Sequence, residues 1–308
     1  MQIRSIMDGI LIIDKPAGIT SHDVVSRVRR ILKEKRVGHT GTLDPFATGV
    51  MVVLVGRATR LAQFLDKDEK EYEAVVRFGF ETDTGDRTGE RRDAATARRG
   101  DAVTKQEVKD ALISFRGEIK QMPPMYSAKK VDGKKLYESA RKGINVERKS
   151  VKVAINKIEL IDEIATNDIG LVTLDIGLGI ACSAGTYIRT LAEDIGRKIG
   201  TGAHLAELRR TRAGRFDLSR SVTLDELEKL DDPATAKIAM AEAVEHLPSI
   251  ILTAERVEKT RSGLSTRITE TQFADGQPVR MLDESGNLLA VGFYDETEKS
   301  IRPKVVLV

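Results

Sequence analysis

Apolar positions recur at helical spacing early in the chain. Val24, Val25, Val28, Ile31 and Leu32 share one face, and Thr20 or Ser21 can cap the helix they predict, which runs to about Lys35. The unbroken apolar run Val50-Met51-Val52-Val53-Leu54-Val55 predicts a buried strand. Alternation from Tyr72 to Phe80 predicts another, ended by the turn signal Thr82-Asp83-Thr84-Gly85-Asp86. Thr104 caps a predicted helix through about Ser114, with Val108, Leu112 and Ile113 facing inward. Strands follow at 151–160 and 171–178, then a helix from about Thr186 to Ile199 that stops at Gly200. Strands and helices mix without strict alternation. The pattern predicts an α/β (α+β) fold, a mixed β-sheet with flanking helices, rather than a doubly wound parallel sheet.

Near residue 248 the pattern changes. Pro248 marks a boundary within Glu245 to Ser249, and the 60 residues beyond carry short strand-like runs (Ile250-Ile251-Leu252, Leu288-Leu289-Ala290-Val291, Val305-Val306-Leu307-Val308). Turn signals such as Asp275-Gly276 and Ser285-Gly286 separate them. The expected organisation is a large domain over 1–248 and a small all-β one over 249–308.

Between the first helix and the apolar run lies Gly38-His39-Thr40-Gly41-Thr42-Leu43-Asp44-Pro45-Phe46-Ala47-Thr48-Gly49. Pro45 biases Asp44 away from helical backbone, and the glycines let a ligand approach the main chain. An acid on a Gly-rich loop leading into a buried strand is a common mounting for a catalytic group. A tight turn whose Asp caps its own backbone would leave the same pattern.

Composition narrows the classes. Charged residues are 31% and hydrophobic ones 41% of the 308, which fits a globular protein, and no segment reaches the length of a membrane helix. Cys182 is the single cysteine, so an internal disulfide and a cysteine-based zinc site are excluded, and a cytoplasmic location is expected. The net charge of +3 is modest, but from Ile119 to Lys149 nine basic residues face three acidic ones, so that segment is +6 and the rest about −3. Such a local cluster suits phosphate, although a solvated lysine-rich face has the same composition. Gly177-Leu178-Gly179 is no dinucleotide fingerprint, because the third glycine would fall at Cys182. The four histidines lack metal-ligand spacing, and no phosphate-binding Gly-x-x-x-x-Gly-Lys loop occurs. With aromatics at 4% and no Trp, a long base-stacking platform is excluded, but a few placed tyrosines could hold one base.

The loop around Asp44 resembles the catalytic loop of the TruB-type pseudouridine synthases, G-H-x-G-x-L-D-P-x-A-x-G, at every fixed position. Asp14-Lys15-Pro16 with Gly18-Ile19-Thr20-Ser21, Lys70-Glu71-Tyr72, Pro123-Pro124-Met125-Tyr126-Ser127-Ala128-Lys129 and Gly185-Thr186-Tyr187-Ile188-Arg189 resemble the same family. The likeness runs in order from about residue 9 to 215.

The resemblance implies a pseudouridine-synthase-type sheet, a PUA-like RNA-binding module at 249–308, and isomerisation of uridine 55 in the T arm of tRNA. Breaking and rejoining a glycosidic bond needs a carboxylate beside the sugar and neither metal nor cofactor. The resemblance assigns that carboxylate to Asp44, its cationic partner to Arg189, and to Tyr72 the active-site tyrosine that stacks on the flipped base and takes part in proton removal. It puts Tyr187 and Leu208 in the uridine pocket and His39 where the base has left the RNA. The basic segment 119–149, with Lys129, Lys130, Lys134 and Lys135, becomes the element that clamps the T arm. The expected partner is tRNA alone, with no membrane and no protein partner, the chain acting as a monomer. Two other readings stay open: a guide-RNA-dependent synthase, and an RNA chaperone that refolds tRNA with catalysis secondary.

Overall fold

The computed structural model describes residues 8–92, 103–127, 130–131, 133–136, 142–144, 146–164, 167–168, 171–172, 174–268 and 273–308. A nine-stranded mixed sheet forms its centre. Its main strands are β1 (Gly9–Lys15), β2 (Val37–Thr40), β3 (Thr48–Val55), β4 (Lys70–Phe78), β5 (Gly117–Gln121), β6 (Val151–Ile164), β7 (Leu174–Cys182) and β8 (Ala203–Ala213). They lie in the order β1-β3-β8-β4-β7-β6-β5, with β2 also on β3. Every pairing among them is antiparallel except β3 with β8, which is parallel and confined to Thr48 opposite Arg209 and Gly49 opposite Arg210.

The apolar run of β3 is explained by cover on both faces. Met51, Val53 and Val55 pack with Leu11 and Ile13 of β1 under helix α1 (Ser21–Leu32). Val50, Val52 and Leu54 point the other way, into a core shared with the 3₁₀ turns of Gly56–Phe64. The remaining half of the sheet is one-sided. Ala74, Val76 and Phe78 of β4 and Ile176, Leu178 and Ile180 of β7 pack against helices α2 (Lys105–Ile113) and α3 (Ile188–Ile199).

Some local expectations shift. Helix α1 is capped by Thr20, whose side chain accepts from the Asp23 amide, but it ends at Leu32 rather than near Lys35. Lys33 turns left-handed there (φ 52°), a stop with no glycine to announce it. Helix α2 has its Thr104 capping box, yet Ile113 is exposed while Val108, Ala111 and Leu112 face the core. His39, expected in a loop, lies in strand β2, opposite Val53 of β3.

From residue 249 a separate five-stranded sheet forms from Ser249–Ile251, Thr266–Arg267, Pro278–Leu282, Leu288–Asp295 and Ser300–Val306, with helix Ala254–Arg261 beside it. Met281, Leu289, Tyr294 and Ile301 make its own small core. Leu288, Val291, Val305 and Leu307 instead join Ile10, Val52 and Leu54 in the core behind β1 and β3.

Candidate active site

The loop 41–47 joins β2 to β3 where the sheet splits. β2 takes the upper part of one edge of β3, β8 takes its start, and the loop emerges between them. Each part of this loop is tied down. The Ser21 hydroxyl accepts from the Leu43 amide (2.9 Å) and donates to the Leu43 carbonyl (3.0 Å). The Gly18 amide donates to Pro45 O (2.8 Å). Lys15, wholly buried, donates from Nζ to the carbonyls of Pro16 (2.8 Å), Pro45 (3.2 Å) and Ala47 (2.7 Å). Burial pulls its pKa down to about 8, against the opposing charge of Asp44. The Asp14-to-Ser21 stretch is therefore the bracket of the Asp44 loop.

Arg210, 1% exposed on β8, brackets it from the far side, with Nη2 on Gly41 O (2.9 Å) and Nε on Val50 O (2.7 Å). Gly49 lets β8 come this close. Its φ is +102°, and a Cβ there would stand 2.1 Å from the Arg210 carbonyl oxygen.

Across the cleft, the N-terminal turn of α3 supplies Arg189, which is buried. Its Nε stands 2.9 Å from Asp44 Oδ2, and its Nη2 donates to Asp44 Oδ1 (3.2 Å) and to Tyr126 O (2.7 Å). Its Nη1 donates to Thr84 O (2.9 Å) and lies 3.7 Å from Asp86 Oδ2. One fixed guanidinium thus meets the Asp44 carboxylate side-on and a second, buried carboxylate behind it. Asp86 is held by the Thr84 hydroxyl (2.9 Å) and the Thr88 amide (2.9 Å). About a third of the Asp44 side chain is open to solvent, but the carboxylate lies deep in the cleft. Burial raises its pKa, Arg189 opposes that, and Asp86 adds to it.

The cleft has a volume of about 260 Å³, and Tyr72, Tyr187, Arg189 and Leu208 line it with Asp44. Tyr72 lies on β4 between Ile180 of β7 and Arg210 of β8. Burial drives its phenol pKa up, so the ring is neutral at pH 7 and suited to stacking. Tyr187 is oriented through its main chain: buried Gln121 accepts from its amide (3.0 Å) and donates to its carbonyl (3.3 Å). Five of the expected site residues therefore meet around one cavity.

His39 does not line the cleft, its Nδ1 is buried without a partner among the described residues, and burial lowers its pKa. Lys129 lies outside the described residues. Lys130 and Lys134-Lys135 form the two arms of a short hairpin turned at Gly133 (φ 80°). No metal-binding cluster of His, Cys, Asp or Glu occurs among the described residues. The buried cations Lys15 and Arg210, the second carboxylate Asp86, and Gln121 carry no assignment in the sequence reading. A lysine inside an Asp-Lys-Pro triplet and an arginine inside Leu-Arg-Arg-Thr-Arg look like surface charge.

Comparison with known proteins gives the arrangement its context. Residues 29–188 match the family model for the N-terminal domain of TruB family pseudouridylate synthases, and residues 189–257 match the tRNA pseudouridylate synthase B C-terminal domain. The chain belongs to the TruB family of pseudouridine synthases. Within that family it is 40% identical to tRNA pseudouridine synthase B of Bacillus subtilis over 307 residues, 98% of each chain. With the protein of the same name from Geobacter sulfurreducens it shares 44% over 261 residues, 84% of this chain and 82% of that one. Two solved structures have the same fold. One is the Cbf5-Nop10-Gar1 complex (28% identity, TM-score 0.73), the other an H/ACA RNP bound to a substrate RNA containing 2′-deoxyuridine (26%, TM-score 0.72). Each match covers 98% of this chain and 86% of the other. The expected TruB resemblance and the mixed sheet with its C-terminal β-module stand.

Proposed function

We propose that this TruB-family chain is a tRNA pseudouridine synthase that acts on uridine 55 of the T arm without a guide RNA. The observation that carries the reading is the Asp44 carboxylate, set deep in a cleft and gripped side-on by buried Arg189. A flipped nucleotide needs such a pocket, and leaving the RNA stack costs a few kcal/mol that the pocket must return in contacts. Arg189 keeps the carboxylate ionised against burial and fixes its direction. Asp44 then faces the sugar of the bound uridine, the glycosidic bond breaks, the base turns, and it rejoins through C5. Tyr72 supplies a neutral ring for the base, with Leu208 and Tyr187 walling the pocket. No step moves electrons in or out: C5 gives up its hydrogen to solvent, N1 takes one up, and every other atom of uridine is kept in the product.

The basic segment 119–149 serves as the clamp on tRNA phosphates, with Lys129, Lys130, Lys134 and Lys135 its leading contacts. Residues 1–248 act as the catalytic unit and the sheet from 249 onward as a PUA-like RNA-binding unit, the whole working as a monomer in the cytoplasm. A relative named tRNA pseudouridine synthase B aligns at 40% identity over 98% of the chain, whereas the H/ACA RNP and Cbf5-Nop10-Gar1 structures align at 26–28%, which favours the unguided reading.

The deciding experiment incubates the purified chain with an unmodified tRNA transcript labelled with tritium at uridine C5, in buffer with chelator. Release of one tritium per tRNA is expected. Release only after a guide RNA is added would establish the guided alternative. Binding and refolding of tRNA with no release would leave the chaperone reading.

A further inference from the structure

One group in the cleft is left with nothing to do. Ser127 is 6% exposed, and its hydroxyl oxygen is shielded from water with no hydrogen-bond partner among the described residues. Buried hydroxyls are almost always bonded, so an orphan in a cavity wall calls for a reason. Ser127 lines the same cleft as Asp44, Tyr72, Tyr187 and Leu208.

The other polar groups described along the cleft are engaged elsewhere. Arg189 is engaged by Asp44 and the carbonyls of Thr84 and Tyr126. Lys70 donates to the carbonyls of Asp66 and Asp68, and Arg210 to those of Gly41 and Val50. The Thr186 hydroxyl donates to Ser183 O, and the Ser183 hydroxyl accepts from the Ala154 amide. Ser127 is also placed in register with the reacting centre. The residue before it, Tyr126, gives its carbonyl to the same Arg189 Nη2 that binds Asp44 Oδ1, so the loop 123–127 is keyed to the ion pair.

We propose that the Ser127 hydroxyl is a hydrogen-bond partner for a neutral polar atom of the nucleoside held in the Asp44 cleft, and so a specificity-determining residue. This rests on the functional reading above. A hydroxyl offers one donor and two lone pairs, which match a carbonyl or N–H of the base edge or a ribose hydroxyl. Phosphate is a poorer match, because its charge calls for the cations of the basic segment. The oxygen lies just behind the cleft surface, so the entering nucleotide presses the 123–127 loop aside to reach it. That loop is anchored from the far side by Arg148, whose Nη1 donates to Pro123 O (3.0 Å).

The test compares wild type, Ser127→Ala and Ser127→Thr on a tRNA transcript. Ser127→Ala should lower kcat/KM on the order of tenfold, as for a lost buried hydrogen bond, and leave tRNA affinity unchanged. Its melting temperature should hold or rise, because an unsatisfied buried hydroxyl has been removed. Ser127→Thr, which keeps the hydroxyl, should recover most of the rate. Transcripts carrying 2-thiouridine, 4-thiouridine, 3-methyluridine or 2′-deoxyuridine at the target then separate base from ribose, since the loss in Ser127→Ala will not add to the loss from altering the atom it contacts. Wild-type kcat/KM in Ser127→Ala, a lowered melting temperature, or full additivity with all four analogues would each overturn the proposal. A wild-type chain that leaves tRNA unmodified overturns the functional reading instead, and the melting comparison still judges Ser127.

Discussion

Two cavities border Leu208, and the larger of them is not the candidate active site. The Asp44 cleft measures about 260 Å³, while a groove lined by Ala17, Phe46, Glu73, Arg87, Glu207 and Arg209 measures about 480 Å³. In the groove the charges are partly neutralised at the surface: Arg209 pairs with Asp14 at 2.7 Å, and Arg87 lies over the Phe46 ring at 5.9 Å. In the cleft, charges are set directly against one another, with buried Arg189 between Asp44 and Asp86. Volume therefore says little about chemistry. Desolvated charge held in fixed geometry says much more, because removing ions from water is costly and such an arrangement persists only where the surrounding fold over-determines it.

Asp44→Asn tests the cleft most severely. It keeps shape and removes charge, so pseudouridine formation should fall by at least about a thousandfold, with tRNA affinity nearly unchanged since phosphate contacts supply most of it. Turnover and binding measured on the same preparation decide this, and near-normal turnover would reduce Asp44 to a turn residue. In the wild type, the acid limb of the rate profile should lie above the ordinary carboxylate range, because burial raises the Asp44 pKa.

Gly49→Ala attacks the support rather than the charge. A left-handed backbone and a 2.1 Å approach to Arg210 O leave no room for a methyl group, so a loss of more than about 3 kcal/mol in stability is expected by urea denaturation. An unaltered unfolding midpoint would mean that the β3–β8 junction yields easily.

Lys15 gives a pH signature. Its pKa is about 8 in the folded chain against 10.5 normally, so between those values the unfolded chain holds a proton that the folded chain has released. The stability of the wild type relative to Lys15→Met should accordingly rise from pH 8 to 10.5, on the order of 3 kcal/mol, with the burial penalty fully present below pH 8. Equal slopes for the two proteins over that range would show that the amine is not desolvated.

The groove provides the smallest effect. Glu73→Gln and Glu207→Gln should each change kcat/KM by no more than about twofold. A larger loss would make the groove part of the working site and erase the contrast between the cavities.

Much of this was legible from residue order, and the rest was not for physical reasons. The apolar run at 50–55, the Thr20 and Thr104 caps and the Gly200 stop are local signals, and each lies in or beside the element it predicted. The Asp44–Arg189 pair was expected through family resemblance, since 145 residues separate the two in the chain. Strand β2 escaped notice because Val37-Gly38-His39-Thr40 is short and held by pairing with β3, a tertiary effect. Lys15 and Arg210 were invisible as structural cations because hydrophobic periodicity reports apolar burial alone. Nothing in the side chain of a lysine signals that it will meet three carbonyls instead of water.

The shared core behind β1 and β3 bears on how the protein is made. Ile10 and Ile12 lie against Leu288, Val291, Val305 and Leu307, which a ribosome makes far later than the first strand. Until those later residues emerge, one face of the strand that carries the Asp44 loop remains uncovered, and a nascent chain must shelter that greasy surface over the whole interval. Catalytic competence should then appear abruptly, once the strands carrying Leu288 to Leu307 are made, and the sheet beyond residue 249 would act as a lock on β1 and β3 as well as a surface for RNA.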